Sequence, residues 1–243
     1  RNRVSQSPVR IRYTVTPTFS FADLSSYDLC NAYQKLELER QAGLYDSSTG
    51  SLDKSYYEKL ALVSQGVDID WINKPVRNSV SHNHSLSVSG RGSGLDYNIT
   101  GNFSQTNGVM KDDARKRYGL NVYLYYRAVD KLIVTLRASH ANLSTKDSKY
   151  GDFSDYVAAN PYDSPYDEQG NLRSSLSYNM NNPLYEASLN SFSKSESRTQ
   201  TISLDARYNF KPELYVTAQG AYSTVRSTSE AYISPASNKY ATT

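Results

Sequence analysis

The sequence predicts an all-β fold, an antiparallel up-and-down meander of about seven long strands, forming a partial transmembrane β-barrel with long helix-containing loops on one side. Three observations predict it. Seven stretches alternate apolar and polar residues with a period of two. Short turns and long loops take turns between those stretches, and aromatic residues gather at both ends of the apolar parity. The composition agrees: 38% of the 243 residues are hydrophobic, 22 are Tyr, and the mean hydropathy is -0.65. Such a mixture suits two-faced strands and polar loops.

The first strand is VRIRYTVTPTFSF, residues 9–21. Val9, Ile11, Tyr13, Val15, Pro17, Phe19 and Phe21 fall on one parity, and Arg10, Arg12, Thr14, Thr16, Thr18 and Ser20 on the other. Pro17 cannot donate a ladder hydrogen bond, so this strand belongs at an edge or carries a bulge. In VSHNHSLSVSG (80–90) Leu86 and Val88 oppose a row of Ser and Asn; in LDYNITGNFS (95–104) Leu95, Tyr97, Ile99 and Phe103 oppose Asp96, Asn98, Thr100 and Asn102. YGLNVYLYYR (118–127), LIVTLRASH (132–140), TISLDARYNF (201–210) and LYVTAQGAY (214–222) complete the set. Each is about nine to thirteen residues, the length a tilted strand needs to cross a bilayer.

Strands two and three are joined by RGSG (91–94), four and five by AVDK (128–131), and six and seven by KPE (211–213), all turn chemistry. The alternate connections, 22–79, 105–117 and 141–200, are long. Sorting short turns to one end and long loops to the other is the asymmetry of outer-membrane barrels, whose turns are periplasmic and whose loops are extracellular. Tyr97, Tyr126 and Phe210 lie near the turns, and Phe19, Phe21, Phe103, Tyr118 and Tyr222 near the loops, all on the apolar parity. The apolar parity is therefore expected to face lipid, and Arg10, Arg12, Arg137 and Arg207 to face the lumen. Outer-membrane barrels of bacteria close with an even strand count, so residues 9–225 read as a partial barrel and 226–243 as the start of the next extracellular loop or a truncated end.

In the loop 22–79, Ser25 or Ser26 is expected to cap a first helix striped by Leu29, Tyr33 and Leu36 and ended by Gly43. Asp53 is expected to cap a second, with Tyr56, Tyr57, Leu60 and Ala61 before Gly66. Packing on the barrel mouth is favoured over partner contact. Cys30 is the only cysteine, so no intrachain disulfide exists; it reads as a small buried apolar residue on the first helix.

The loop 150–186 is the candidate ligand- and partner-binding element: Tyr150, Phe153, Tyr156, Tyr162, Tyr166 and Tyr178 interleave with Asp163 and Asp167. Aromatic faces with carboxylates suit a sugar, a peptide or a protein surface. The competing reading is a loop that only orders itself, with Asp-Glu-Gln-Gly-Asn (167–171) as a turn.

Other chemistries find little support. The net charge is +3, from 27 basic and 24 acidic residues scattered along the chain, so no nucleic-acid partner is expected. His82 and His84 share a strand face without a third ligand in register; they read as a polar rim at the outer interface, not a metal site. With no nucleophile elbow or phosphate-cradling glycine loop, neither an enzyme nor a cofactor is expected. Residues 1–8 lack an apolar signal segment and no window of about 18 apolar residues occurs, which says nothing against a barrel.

DIDWINKPVRNSVSHNHSLSVSG, with Asp70, Trp71, Arg77, His82, Asn83, His84 and Ser85 to Gly90, resembles the segment that opens the barrel in the SusC/RagA-like family of TonB-dependent outer-membrane transporters. DYNITGNFSQTNGVMKDDARKRYGLNV resembles the family's next hairpin, with Gly108 and Val109 after one strand and Arg117 and Tyr118 opening the return. The similarity runs from about residue 9 to 225. It implies roughly the first third of a large plugged barrel in the outer membrane of a Gram-negative bacterium, capped by a SusD-like surface lipoprotein. Its plug, absent from this chain, couples to the TonB system, residues 1–8 read as a linker from that plug, and its cargo is an oligosaccharide or, second, a peptide. The alternative from another class is a secreted β-rich adhesin or binding module whose apolar faces form a sandwich core. A hydrolase using the loop carboxylates is a third.

Overall fold

The computed structural model describes residues 7–47, 52–128 and 131–240. Most of the expected linker at 1–8, Val129 and Asp130 of the turn between the fourth and fifth strands, and 241–243 lie outside the described residues. Seven strands, β1 (Ser7–Ser20), β2 (Ser79–Gly92), β3 (Leu95–Asn107), β4 (Ala114–Ala128), β5 (Leu132–Lys146), β6 (Phe192–Lys211) and β7 (Leu214–Tyr232), form a single sheet. Each pairs antiparallel with its sequence neighbours, and the sheet is open, with β1 and β7 at its edges. Pro17 sits on the edge strand β1 opposite His82, where its missing donor is tolerated.

The ladders run further than the apolar alternation. β6 has 20 residues and β7 has 19, so the long connections shrink to 21–78, 108–113 and 147–191. Backbone pairing continues where the side chains have already become polar on both faces. The turn after β2 is two residues, Ser93 (φ 47°) and Gly94 (φ 81°), both left-handed as a tight hairpin turn demands. A Cβ on Gly94 would lie 2.6 Å from the Arg127 carbonyl oxygen, so this glycine also admits the neighbouring backbone.

Register brings the predicted apolar parity into continuous rows. Ile11, Val88, Ile99, Val122, Ala138, Ile202 and Tyr222 are successive cross-strand partners, and Gly90, Tyr97, Leu124, Leu136, Leu204 and Gly220 form the next row toward the short turns. The apolar face is bare: Ile11 is 71% exposed, Ile202 51% and Leu204 49%. Strand residues that are buried, Ser79, Ser81 and Thr135, all lie on the opposite, polar face. Arg10, Arg12, Arg137 and Arg207 share that polar face. There Arg137 pairs with Asp205 at 2.5 Å and Arg207 lies over the Tyr215 ring at 3.8 Å.

The buried core is in the loops. Helices α1 (Ala32–Gln41) and α2 (Lys54–Ser64) pack together over Ala32, Leu36, Tyr45 and Tyr162. Short helices α3 (Phe153–Ala158) and α4 (Pro183–Ser188) contribute to a second cluster of Trp71, Tyr156, Ala159 and Leu176, with Ile69, Tyr150 and Leu184 against it. No helix among the described residues is long and apolar enough to cross a membrane.

Two expectations for the first loop are corrected. Asn31, not Ser25 or Ser26, caps α1: its side chain accepts from the Gln34 amide at 2.8 Å while the Asn31 amide donates to the Gln34 side-chain oxygen at 3.0 Å, a reciprocal pair. Cys30 is therefore ahead of the helix, and it is exposed rather than buried. Asp53 caps α2 as expected, accepting from the Ser55 amide at 2.5 Å, and Gly43 and Gly66 follow the two helices with φ of 74° and 88°.

Candidate functional site

The loop 150–186 folds against the loop 22–79 to form a cap at the long-loop end of the sheet. Its fixed points are buried polar contacts. Trp71, 3% exposed, donates its indole N–H to the Asn160 carbonyl at 2.9 Å, and the Ile69 amide donates to the Pro161 carbonyl at 2.7 Å. The carboxylate of Glu39 on α1 is buried, accepting from the Tyr45 hydroxyl at 2.5 Å and from the Tyr162 hydroxyl at 3.0 Å, with Lys35 at 3.5 Å. A buried charge so far from water needs this many donors.

Beside it, the Lys59 ammonium of α2 lies over three rings: Tyr45 at 4.9 Å, Tyr162 at 4.8 Å and Tyr178 at 4.4 Å. It also donates to the Tyr45 and Tyr178 hydroxyls at 3.0 and 2.9 Å. Tyr178 and Asn179 take left-handed backbone, φ 58° and 57°, which turns the Tyr178 ring onto that ammonium. Burial, then contact with Glu39, pushes the phenols of Tyr45 and Tyr162 far above the ordinary tyrosine range. For Tyr178 burial acts upward, but the hydrogen bonds from Lys59 and Tyr45 outweigh it and hold its phenol below the ordinary value.

The predicted binding residues divide between the interior and the surface. Tyr156 and Tyr162 are fully buried and Asp163 is 5% exposed, held by the Ser177 hydroxyl at 2.6 Å. These three build the cap itself; Tyr162 and Asp163 have no free ring face or carboxylate oxygen to offer a ligand, while Tyr156 lines a cavity between the two loops. Tyr150 is half-buried beneath Lys111, and Phe153 meets Tyr27 edge-on at 5.5 Å. The Asp167 carboxylate accepts from the Gln169 and Asn171 amides at 3.0 and 2.8 Å, so it closes the turn 167–171; those bonds, the Asn171 amide foremost, hold its carboxyl below the usual range. Tyr166 and Tyr178 remain, 50% and 58% exposed, as outward aromatic faces.

Sequence reasoning missed Lys59, Tyr45 and Glu39. Nothing local in the sequence marks Glu39 as buried, and nothing local marks Lys59 as the cation that Tyr178 covers. It also missed a cavity of about 470 Å³ between the two loops, lined by Tyr27, Asp28, Cys30, Asp68, Asp70 and Trp71 among others. Three carboxylates around an aromatic wall make a mouth that suits cationic and hydrogen-bonding groups on a ligand. Asp68 already accepts from the Ala32 amide at 2.9 Å. His82 and His84 lie at the loop-side end of the apolar face, where the Tyr13 hydroxyl meets His84 Nδ1 at 2.7 Å and His84 Nε2 meets His82 Nδ1 at 3.1 Å. Among the described residues no three His, Cys, Asp or Glu side chains are grouped to hold a metal ion.

No family model matches the chain, and no curated protein matches it. Solved structures do. The chain is similar to the RagAB peptide transporter, with a TM-score of 0.69 at 17% identity over 91% of this chain and 29% of that one. It is similar to the RagAB peptide importer in its closed-closed state, with a TM-score of 0.72 at 15% identity over 95% of this chain and 30% of the other. In the open-open state the values are 0.73, 15%, 93% and 29%. At these identities the likeness is one of fold, and the chain spans under a third of the length of the structures it matches.

Proposed function

We propose that this chain is a wall segment of an outer-membrane nutrient importer of the SusC/RagA-like, TonB-dependent kind, with its apolar face on lipid, its polar face on the lumen, and its loop cap as the extracellular gate. The observation that carries this reading is the slope of the apolar band. Its loop-side border falls from Phe19 on β1 to Tyr222 on β7, and Tyr222 shares the ladder row of Ile11. Across six strand spacings the border therefore shifts by the about eight residues between Ile11 and Phe19, roughly 27 Å along the strands for roughly 29 Å across them. That is an inclination of about 40°, the tilt that strands of membrane barrels adopt, so a band level with a membrane must cut the ladder rows at this angle. A sandwich core has no need of a slanted border. Aromatic residues mark both edges, Phe19, Phe103, Tyr118 and Tyr222 above and Tyr97, Tyr126 and Phe210 below.

On this reading the RagAB likeness and the family resemblance point to import of an oligosaccharide or peptide, with a SusD-like lipoprotein over the cap and a plug and TonB driving release. The cap supplies outward stacking faces at Tyr166 and Tyr178 and, between its two loops, the carboxylate-rimmed cavity. In the assembled transporter, replacing Tyr166 with Ala should weaken capture by about two- to tenfold, since a stacked aromatic contact contributes ~0.5–1.5 kcal/mol, whereas Tyr178 also anchors the cap on Lys59. Uptake of a labelled peptide mixture and a labelled oligosaccharide mixture, measured side by side, tests the function and assigns the cargo class. Uptake of neither by an assembled wild-type transporter would reject the importer reading.

A further inference from the structure

Just beyond the loop-side border of the apolar band, on the same outward face, the register sets cations where the bilayer's polar layer begins. Arg198 on β6 is the direct cross-strand partner of Arg226 on β7, one row past Gln200 and Thr224 and two past Ile202 and Tyr222. Lys116 on β4 is one row past Tyr118 on that face, and His140 on β5 is one row past Ala138. Like charges directly opposite in an antiparallel ladder repel and destabilise the pair. Glu196 takes up part of Arg198, at 2.8 Å, and Asn142 donates to the same carboxylate oxygen at 3.0 Å. Higher on this face Lys194 is matched by Glu230 at 2.8 Å and Lys146 by Asp112 at 3.8 Å. Among the described residues Arg226 and Lys116 have no carboxylate partner.

We propose that Arg198, Arg226 and Lys116 form a binding site for the anionic headgroup of an outer-leaflet lipid bearing two phosphates, whose acyl chains lie along the apolar band below. The inference rests on the membrane reading above. A phosphate accepts from two guanidiniums at once, so it converts the repulsion of the Arg198–Arg226 pair into a bridge. Lys116 lies two strands from Arg198 and one same-face row beyond it, in the row of Glu196, about 12 Å away, a spacing that a headgroup bearing two phosphates can span. Below it, Gly101 leaves a dent between Leu86 and Leu120 in which a Cβ would meet nothing within 4 Å. Phe103 and Tyr118, ring centroids 4.9 Å apart, wall that dent on the headgroup side, and an acyl chain laid there would bury its apolar surface.

The test is native mass spectrometry of the full chain refolded in detergent micelles carrying either bisphosphorylated lipid A or phosphatidylcholine. Wild type should retain lipid A about tenfold or more over phosphatidylcholine, and Arg226→Gln should lose about tenfold of that preference. Arg226→Lys should keep part of it, and Arg115→Gln, which removes one charge from the opposite face, should keep all of it. Millimolar inorganic phosphate should not displace the lipid; displacement would assign the site to free phosphate and overturn the lipid proposal. Equal retention of both lipids, or equal loss in Arg226→Gln and Arg115→Gln, would also overturn it while the membrane reading stands. Failure to enter either micelle would remove the membrane reading and this site with it.

Discussion

The Lys59 ammonium lies 4.4 Å from the centroid of the Tyr178 ring and 2.9 Å from its hydroxyl, joining α2 to a loop 119 residues away. Cation–π contacts of this kind contribute about 0.5–2 kcal/mol when partly desolvated. Lys59→Met keeps the apolar stem and removes the charge, so the two loops should come apart while the sheet stays folded. Hydrogen exchange should then speed up several-fold across 153–163 and 176–180 and stay unchanged in β2 to β6. Unchanged exchange in the cap would mean that the three rings pack without the cation.

The parity of the strands separates substitutions of equal size. Leu204→Arg and Val134→Arg put a charge on the apolar face and should cost ~2–4 kcal/mol near mid-bilayer. Thr201→Arg, on the polar face opposite Ser139 and Ser223, should cost far less. Thr135→Arg is not a fair control, because Thr135 is 8% exposed beneath its neighbours and a larger side chain cannot fit. Urea unfolding in vesicles measures the three variants Leu204→Arg, Val134→Arg and Thr201→Arg, and equal damage on both parities would remove the assignment of faces.

The cap should open in alkali. Tyr45 and Tyr162 have phenols raised above the ordinary value of 10.0. A raised folded value means that the stabilisation is complete below pH 10 and is lost as pH climbs beyond it, because the opened loop ionises first. Tyrosinate absorbance should therefore rise in two stages, the buried pair appearing only together with faster proteolysis of 150–186. Full ionisation of every tyrosine in one simple step, with the loop still protected, would contradict the buried Glu39 network.

Much of this fold was legible because strand parity is a local signal. The period of two in β1 to β7, the turn residues Ser93 and Gly94, and the caps at Asp53, Gly43 and Gly66 act within a few residues of themselves, so spacing alone located them. Strand length was not legible: past Arg198 and Arg226 the alternation fades while backbone pairing persists, and pairing leaves no mark in side-chain pattern. The cap was read only in part. Its Tyr and Asp content drew notice, but which tyrosines turn inward depends on Glu39 and Lys59, which approach from another loop. Asn31 out-competed Ser25 and Ser26 as a cap because Gln34 completes a reciprocal pair with it, a signal that was present and passed over.

The central claim is that the bare apolar face meets lipid, and alternate-residue fluorescence quenching tests it most directly. In a Trp71→Phe background, single Trp substitutions at Ile202, Ser203, Leu204 and Asp205 are refolded into vesicles whose acyl chains carry bromine. Trp at 202 and 204 should be quenched by the brominated chains and shielded from aqueous iodide, and Trp at 203 and 205 should show the reverse. Equal quenching at all four positions, or a soluble monomer in plain buffer with 202 and 204 shielded from iodide, would contradict the account and favour a sandwich core.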